Sequence, residues 1–286
     1  STETISDRPS GGSQRGLVGY WKFNDGSGTT VTDHSGFGND GTFAEIGTEN
    51  AAETATVAAL PTWGESSVAK SAVTTNYVLK FTGDSVDGDF PSGTSDYVAT
   101  TFDPVDYDLG TDGFTLSFWV RPDEIGTDAT SAQTHMFAIG RRRAGSTGRF
   151  TFGLFRTISD VSYMYVGVGD SKKQTTAHTM EVGRWYNWVI TYAGNDGGKT
   201  LRYYINGTLM QDTTTDWTNN DNGNPIYFGG RNLPTSGYDN GWACGLDEVA
   251  IYDEVKDSDW ITSVYNGSTD YNHKDSGGDG LVGYWR

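Results

Sequence analysis

Apolar residues recur along this chain in short runs separated by clusters of Gly, Asn, Asp and Ser. The runs are "LVGYWKF" (17–23), "YVLKF" (77–81), "DYVAT" (96–100), "FTLSFWVRP" (114–122), "HMFAIGRR" (135–142), "RFTFGLFR" (149–156), "VSYMYVGVG" (161–169), "RWYNWVITYA" (184–193), "LRYYINGTLMQD" (201–212), "PIYFGG" (225–230) and "LDEVAIY" (246–252). Several alternate with period two. In "FTLSFWV", Phe114, Leu116, Phe118 and Val120 share one face and Thr115 and Ser117 the other, as in a strand with one buried side. So many short strands with turn chemistry between them predict an all-β fold, a two-sheet antiparallel jelly-roll sandwich. Asn206-Gly207 between apolar strands predicts a two-residue hairpin, because both residues accept the positive φ of a type I′ turn. One helix is expected, short and C-terminal, in "DSDWITSVYNG" (257–267). Asp257 or Ser258 caps it, Trp260, Ile261 and Val264 form its apolar face, and Gly267 ends it.

Two stretches stand apart from this pattern. Residues 44–76 lack alternation, are rich in Ala and Thr, and exceed an ordinary loop, so they read as an insertion or a surface excursion. The hexapeptide "GLVGYW" occurs twice, at 16–21 and at 280–285, each time after an "SGG" stretch and before a basic residue, Lys22 or Arg286. The expected organisation is a flexible linker over 1–15, one sandwich over 16–268, a second linker over 269–279, and at 280–286 either the start of a second repeat or an exchanged strand. Tandem whole domains are the favoured reading of such self-similarity. A chain that opens on Ser1 and carries no visible export signal is expected to be a piece of something longer.

Composition narrows the function. At 286 residues, with 35% hydrophobic and 13% aromatic residues, the chain can bury a full core. No apolar run approaches the ~18 residues of a membrane-spanning helix, so no membrane insertion is expected. Thirty-seven acidic residues against 20 basic give a net charge of −17, which argues against nucleic acid and anionic membrane as partners. The single cysteine, Cys244, excludes an internal disulfide and a thiolate zinc cage, and its apolar surroundings suggest a buried inert thiol. His34, His135, His178 and His273 show no pairing with a nucleophile. "GRRRAG" (140–145) reads as a solvated hairpin end, or as three adjacent Arg that dock an acidic neighbour.

Four blocks carry a family resemblance: "GLVGYWKFNDGSGTTVTDHSGFGNDGT", "FTLSFWVRP", "GRWYNWVITYAGNDGGKTLRYYINGTLMQ" and "GLDEVAIYDE", in this order over residues 16–267. Together they resemble a laminin-G-like jelly roll of the concanavalin A-like lectin/glucanase superfamily. The resemblance implies two curved antiparallel sheets and an extracellular, cell-surface or virion-surface setting. It does not imply one function, because the same sandwich carries lectins, glucanases and adhesion modules.

Glucanases of this fold place two carboxylates on one strand face about 5–5.5 Å apart. In "LDEVAIYDE", period two puts Asp247 and Asp253 on one face with Val249 and Ile251, and Glu248 and Glu254 on the other with Ala250 and Tyr252. Six residues of strand span about 20 Å, too far for either glycosidase geometry, so no enzyme is expected. The resemblance further implies a structural calcium ion between the loop after the first strand and the late strand. Here its oxygen ligands would be Asp33, Asn39, Asp40, the Gly41 carbonyl and Asp247, a hard-cation set. Asx-turns in a Gly-rich loop explain the same residues equally well. A sugar platform needs exposed aromatics among polar groups, and Trp217, Tyr238 and Trp242 are the candidates. Asn206 and Asn266 lie in N-x-[ST] glycosylation patterns. The reading favoured at this point is a non-catalytic adhesion or fibre module whose partners are neighbouring copies of itself. A carbohydrate-binding lectin is the alternative, and a diverged glucanase comes third.

Overall fold

The computed structural model describes residues 16–45, 60–65, 77–82, 96–125, 133–141, 149–157, 162–169, 171–174, 180–217, 225–230 and 241–266. Within them the strands in chain order are β1 (Leu17–Trp21), β2 (Thr30–Val31), β3 (Gly41–Glu45), β4 (Thr62–Glu65), β5 (Tyr77–Phe81), β6 (Asp96–Thr100), β7 (Phe114–Pro122), β8 (Gln133–Arg141), β9 (Arg149–Thr157), β10 (Ser162–Gly169), β11 (Ser171–Gln174), β12 (Tyr186–Tyr192), β13 (Thr200–Ile205), β14 (Thr208–Thr214), β15 (Ile226–Phe228) and β16 (Cys244–Tyr252), followed by helix α1 (Ser258–Asn266). They form two eight-stranded sheets. One runs β14-β13-β12-β7-β16-β5-β4, with β1 also paired to β16; the other runs β11-β10-β9-β8-β15-β6-β3-β2. Every strand pairing among them is antiparallel.

Alternation dictates which side chains fill the space between the sheets. Across β7 and β12, Phe118 faces Trp188, Leu116 faces Ile190 and Phe114 faces Tyr192, and all six join the main core. Burying each such side chain contributes about 1.5–3 kcal/mol. The other face of β7 is not solvent-facing as the pattern suggests, because Thr115 and Ser117 are also fully buried. Thr115 Oγ1 donates to the Glu254 carbonyl and accepts from the Lys256 amide, which lays the chain leaving β16 across this face. Helix α1 extends the cover. Its cap is Asp257, whose carboxylate accepts from Trp260 N at 2.8 Å. Its buried side, Trp260, Ile261 and Val264, packs with Tyr20, Val189, Tyr204, Ala250 and Tyr252 in a second cluster. The Asn206-Gly207 turn forms as expected, with φ of 51° and 74°.

Three further expectations change. The stretch 44–76, expected as an insertion or a surface excursion, is in part strand: Ala44 and Glu45 end β3, paired with β6, β4 pairs with β5, and Trp63 Nε1 donates to the Gly28 carbonyl. The remainder of that stretch, 46–59 and 66–76, lies outside the described residues, as do 1–15 and 267–286. Arg141, expected in a solvated hairpin end, is 1% exposed and donates to Asp103 at 3.0 Å. Strict period two also fails in β16. Asp247 pairs with Trp119 and Ala250 with Ser117, so three steps on β16 match two on β7. Glu248 is the extra residue of this bulge and adopts a φ of 51°. Asp247 therefore does not share a face with Val249 and Ile251, which point into the main core.

Candidate functional site

Strand register brings two loops together at one end of the sandwich. Gly41, the first residue of β3, pairs with Thr100, the last residue of β6, so the loop before β3 meets the turn after β6. The first loop is organised by Asp33. One of its carboxylate oxygens accepts from the amides of Tyr20 and Ser35 at 2.9 and 2.8 Å. The other accepts from Ser35 Oγ at 2.7 Å and from the Asn39 amide at 2.9 Å. Asp40 in turn accepts from the Asp33 amide at 2.8 Å. The second loop is organised by Asp103, which accepts from the Val105 amide and pairs with Arg141.

Between them stands a small aromatic shelf. Tyr107 stacks on the buried Phe102, with ring centroids 4.7 Å apart and planes 7° from parallel. Its hydroxyl accepts from Asn39 Nδ2 at 2.9 Å, and Asn39 also donates to the Val18 carbonyl. Phe37 packs edge-on against Tyr107 at 5.5 Å and is 45% exposed. Asp40, Asp106 and Asp108 around it are exposed. Burial, with the nearby Asp33 and Asp106 carboxylates, pushes the Tyr107 phenol above its ordinary range, despite the opposing hydrogen bond from Asn39. The shelf thus offers an apolar ring face, a neutral hydroxyl and carboxylate acceptors, on a base fixed by core packing.

The expected calcium ligands do not form a cage. Asp33, Asn39 and Asp40 come together, but both Asp33 oxygens are committed to N–H and O–H donors, and the Asn39 amide is turned to present its donor nitrogen. Gly41 lies within the sheet, between Val31 and Thr100. Asp247 stands opposite Trp119. Among the described residues, no group of three or more His, Cys, Asp or Glu side chains could hold a metal ion. As arranged, this donor set does not fit calcium; the Asx-turn reading accounts for Asp33.

Of the three aromatics expected to form a sugar platform, two are buried in the core. Trp217 is 1% exposed and Trp242 0%. Trp217 packs against Phe114, Phe150 and Tyr192, and Trp242 against Trp188, with its Nε1 donating to the Glu124 carbonyl. Tyr238 lies outside the described residues. Asn206 is half-buried at its hairpin, its side-chain oxygen accepting from the Asn187 amide, whereas Asn266 is exposed at the end of α1. Phe37 was open to sequence reasoning as an aromatic between two glycines in a polar loop; nothing local marks Tyr107.

The carboxylates of β16 do not face a cleft. Asp247 is 6% and Glu248 3% exposed, and Glu248 accepts from the Tyr20 hydroxyl, on the sheet face that α1 covers. Burial, and then the Glu248 charge, push the Tyr20 phenol well above its ordinary value.

Two stacked antiparallel sheets in this order, with loops presenting side chains at one end, define a lectin-like jelly roll. The chain belongs to the concanavalin A-like lectin/glucanases superfamily, through a laminin-G family profile that matches residues 92–262. Among curated proteins no sequence relative matches. Among solved structures, the binding domain of botulinum neurotoxin serotype D is similar at 14% identity and a TM-score of 0.51, over 89% of this chain and 52% of that one. Domain 4 of AbnA, a GH43 extracellular arabinanase from Geobacillus stearothermophilus solved with arabinotriose, is similar at 14% identity and a TM-score of 0.53, over 88% of this chain and 100% of that one. Trypanosoma rangeli sialidase in complex with sialic acid is similar at 16% identity and 0.52, over 87% and 32%. The chain spans about half the length of the neurotoxin binding domains it matches. Likeness at these identities establishes the fold.

Proposed function

We propose that the chain is a non-catalytic glycan-binding module that works outside the cell or on a cell or virion surface, with the Phe37–Tyr107 shelf as its contact with a neutral sugar. The observation that carries this reading is the rigid base under an exposed aromatic. A lone exposed Phe is ordinary, but Phe37 sits on Tyr107, which is held by Phe102 from below and Asn39 from the side. A ring face takes the C–H face of a sugar, and Asp40, Asp106 and Asp108 accept its hydroxyl protons. The net charge of −17 disfavours acidic glycans. Superfamily membership supports the reading, and so does the fold shared with an arabinanase domain solved with arabinotriose. The buried, bulged carboxylates of β16 support the non-catalytic part.

A second reading, adhesion or fibre assembly through tandem copies of the module, is favoured by one observation, the repeated "GLVGYW". A glycan array of neutral and acidic oligosaccharides tests the first. Phe37→Ala is expected to lower binding to neutral glycans roughly tenfold, equivalent to about 1.4 kcal/mol, without moving the melting temperature. Wild-type binding by Phe37→Ala, or binding confined to acidic glycans, overturns the shelf.

A further inference from the structure

The β1 position is demanding at each of the six residues of the repeated hexapeptide. Gly16 has a φ of 126°, and a Cβ there would lie 2.6 Å from Glu254 Oε1. Its carbonyl accepts from the Asp253 amide. Leu17 packs on the cluster beneath α1, and Val18 enters the main core. Gly19 leaves room for the Trp21 ring, which a Cβ would meet at 2.6 Å. Tyr20 donates to Glu248. Trp21 is 0% exposed, lies edge-on to Phe102 and Phe228, and donates through Nε1 to the Asn39 carbonyl at 2.9 Å. At the following position Lys22 places its ammonium 5.3 Å from the Tyr20 ring, a contact that arginine makes equally well.

Residues 280–286, "GLVGYWR", meet each of these requirements in order. We propose that the β1 slot accepts this second copy, donated by the same chain, whenever residues 16–21 leave it. The tether permits the exchange. β1 is antiparallel to β16 and begins opposite Tyr252, the end from which the chain continues into α1. Residues 253–257 extend at most about 18 Å, and the nine residues of α1 add about 14 Å. Residues 267–279 extend up to about 45 Å, enough to return from the end of α1 to the start of the slot. A tethered segment also competes at an effective concentration of order millimolar, which favours the chain's own copy over another molecule's. The partner of this slot is therefore a strand of the sequence G-L-V-G-Y-W followed by a basic residue, and the first strand of any following module would serve.

Full-length Trp21→Ala, Trp285→Ala and the double variant test this. Either single variant is expected to melt within a few degrees of wild type, because one intact hexapeptide remains to fill the slot. The double variant is expected to melt lower by roughly 10 °C, the effect of removing a fully buried Trp ring. In Trp21→Ala, amide exchange of residues 281–285 should slow and the protein should stay monomeric in solution. The proposal is overturned if Trp21→Ala alone falls as far as the double variant or fails to fold. It is also overturned if the double variant melts like wild type, or if Trp21→Ala recovers its stability only as a dimer.

Discussion

Asp103 and Arg141 form the most consequential ion pair beneath the shelf. Their side chains are 8% and 1% exposed and meet at 3.0 Å. Asp103 also accepts from the Val105 amide, starting the turn that carries Tyr107. Asp103→Ala takes a carboxylate partner from a guanidinium buried away from water, a loss of about 3–5 kcal/mol, or a fall in melting temperature of roughly 10 °C for a chain of this size. Replacing both partners, Asp103→Ala with Arg141→Met, removes the buried charge together with its counterion. The double variant should therefore recover most of the loss and remain below wild type by about 1 kcal/mol, the share of the Val105 hydrogen bond. Thermal melts of the two single variants and the double, followed by near-ultraviolet circular dichroism, give the coupling directly. Because the pair is buried, molar salt should leave that coupling nearly unchanged. Additive losses, with the double variant less stable than either single one, would refute the reasoning, and so would a coupling abolished by salt.

Further outcomes follow from the same geometry. Tyr20 and Tyr203 hold their protons well above the ordinary value of 10.0, through burial and, for Tyr20, the Glu248 charge. A raised folded-state value means that this stability is intact below about pH 10 and declines as pH climbs towards the folded values. Phenolate absorbance from these residues should appear only with loss of near-ultraviolet dichroism, and complete tyrosine ionisation in a still-native protein would contradict this. Asp33→Ala strands the buried amides of Tyr20, Ser35 and Asn39 at about 1–3 kcal/mol each, so a fall of several kcal/mol is expected. Excess chelator should leave the wild-type melting temperature where it is; a fall on chelation would restore calcium to this loop.

How much of this was legible depended on whether the relevant physics was local. Strands β5, β6 and β7 have the boundaries the pattern predicts, because alternating apolar side chains and flanking turn residues act within the segment itself. β2, β4 and β11 escaped notice because "TV", "TWGE" and "SKKQ" carry too few apolar positions to show a period. Their partners, not their own residues, make them strands. The bulge at Glu248 is invisible for a related reason. Nothing in "LDEVAIY" announces a positive φ at Glu248, whose carboxylate is bonded by the Tyr20 hydroxyl, more than two hundred residues away in the chain. The resemblance to a laminin-G jelly roll was readable because it is spread over several blocks, and it led to the right fold.

The site obeys the opposite logic. Trp217, Trp242 and Phe37 all stand among small polar residues, and composition cannot say which ring is buried. Tertiary contacts decide it. The turn after β6 sets Gly110 close under Trp217, leaving 3.1 Å between a Cβ built at Gly110 and the indole, and Glu124 takes the Trp242 N–H. No such partner encloses Phe37, because Gly36 and Gly38 flank it with φ of 93° and 75°, conformations that carry the loop outward while the Asp33 carboxylate pins its base. Two glycines and one aspartate thus do what no alternation pattern records: they turn an apolar ring towards solvent and hold it there, the arrangement that a binding surface needs and a folding core would not select.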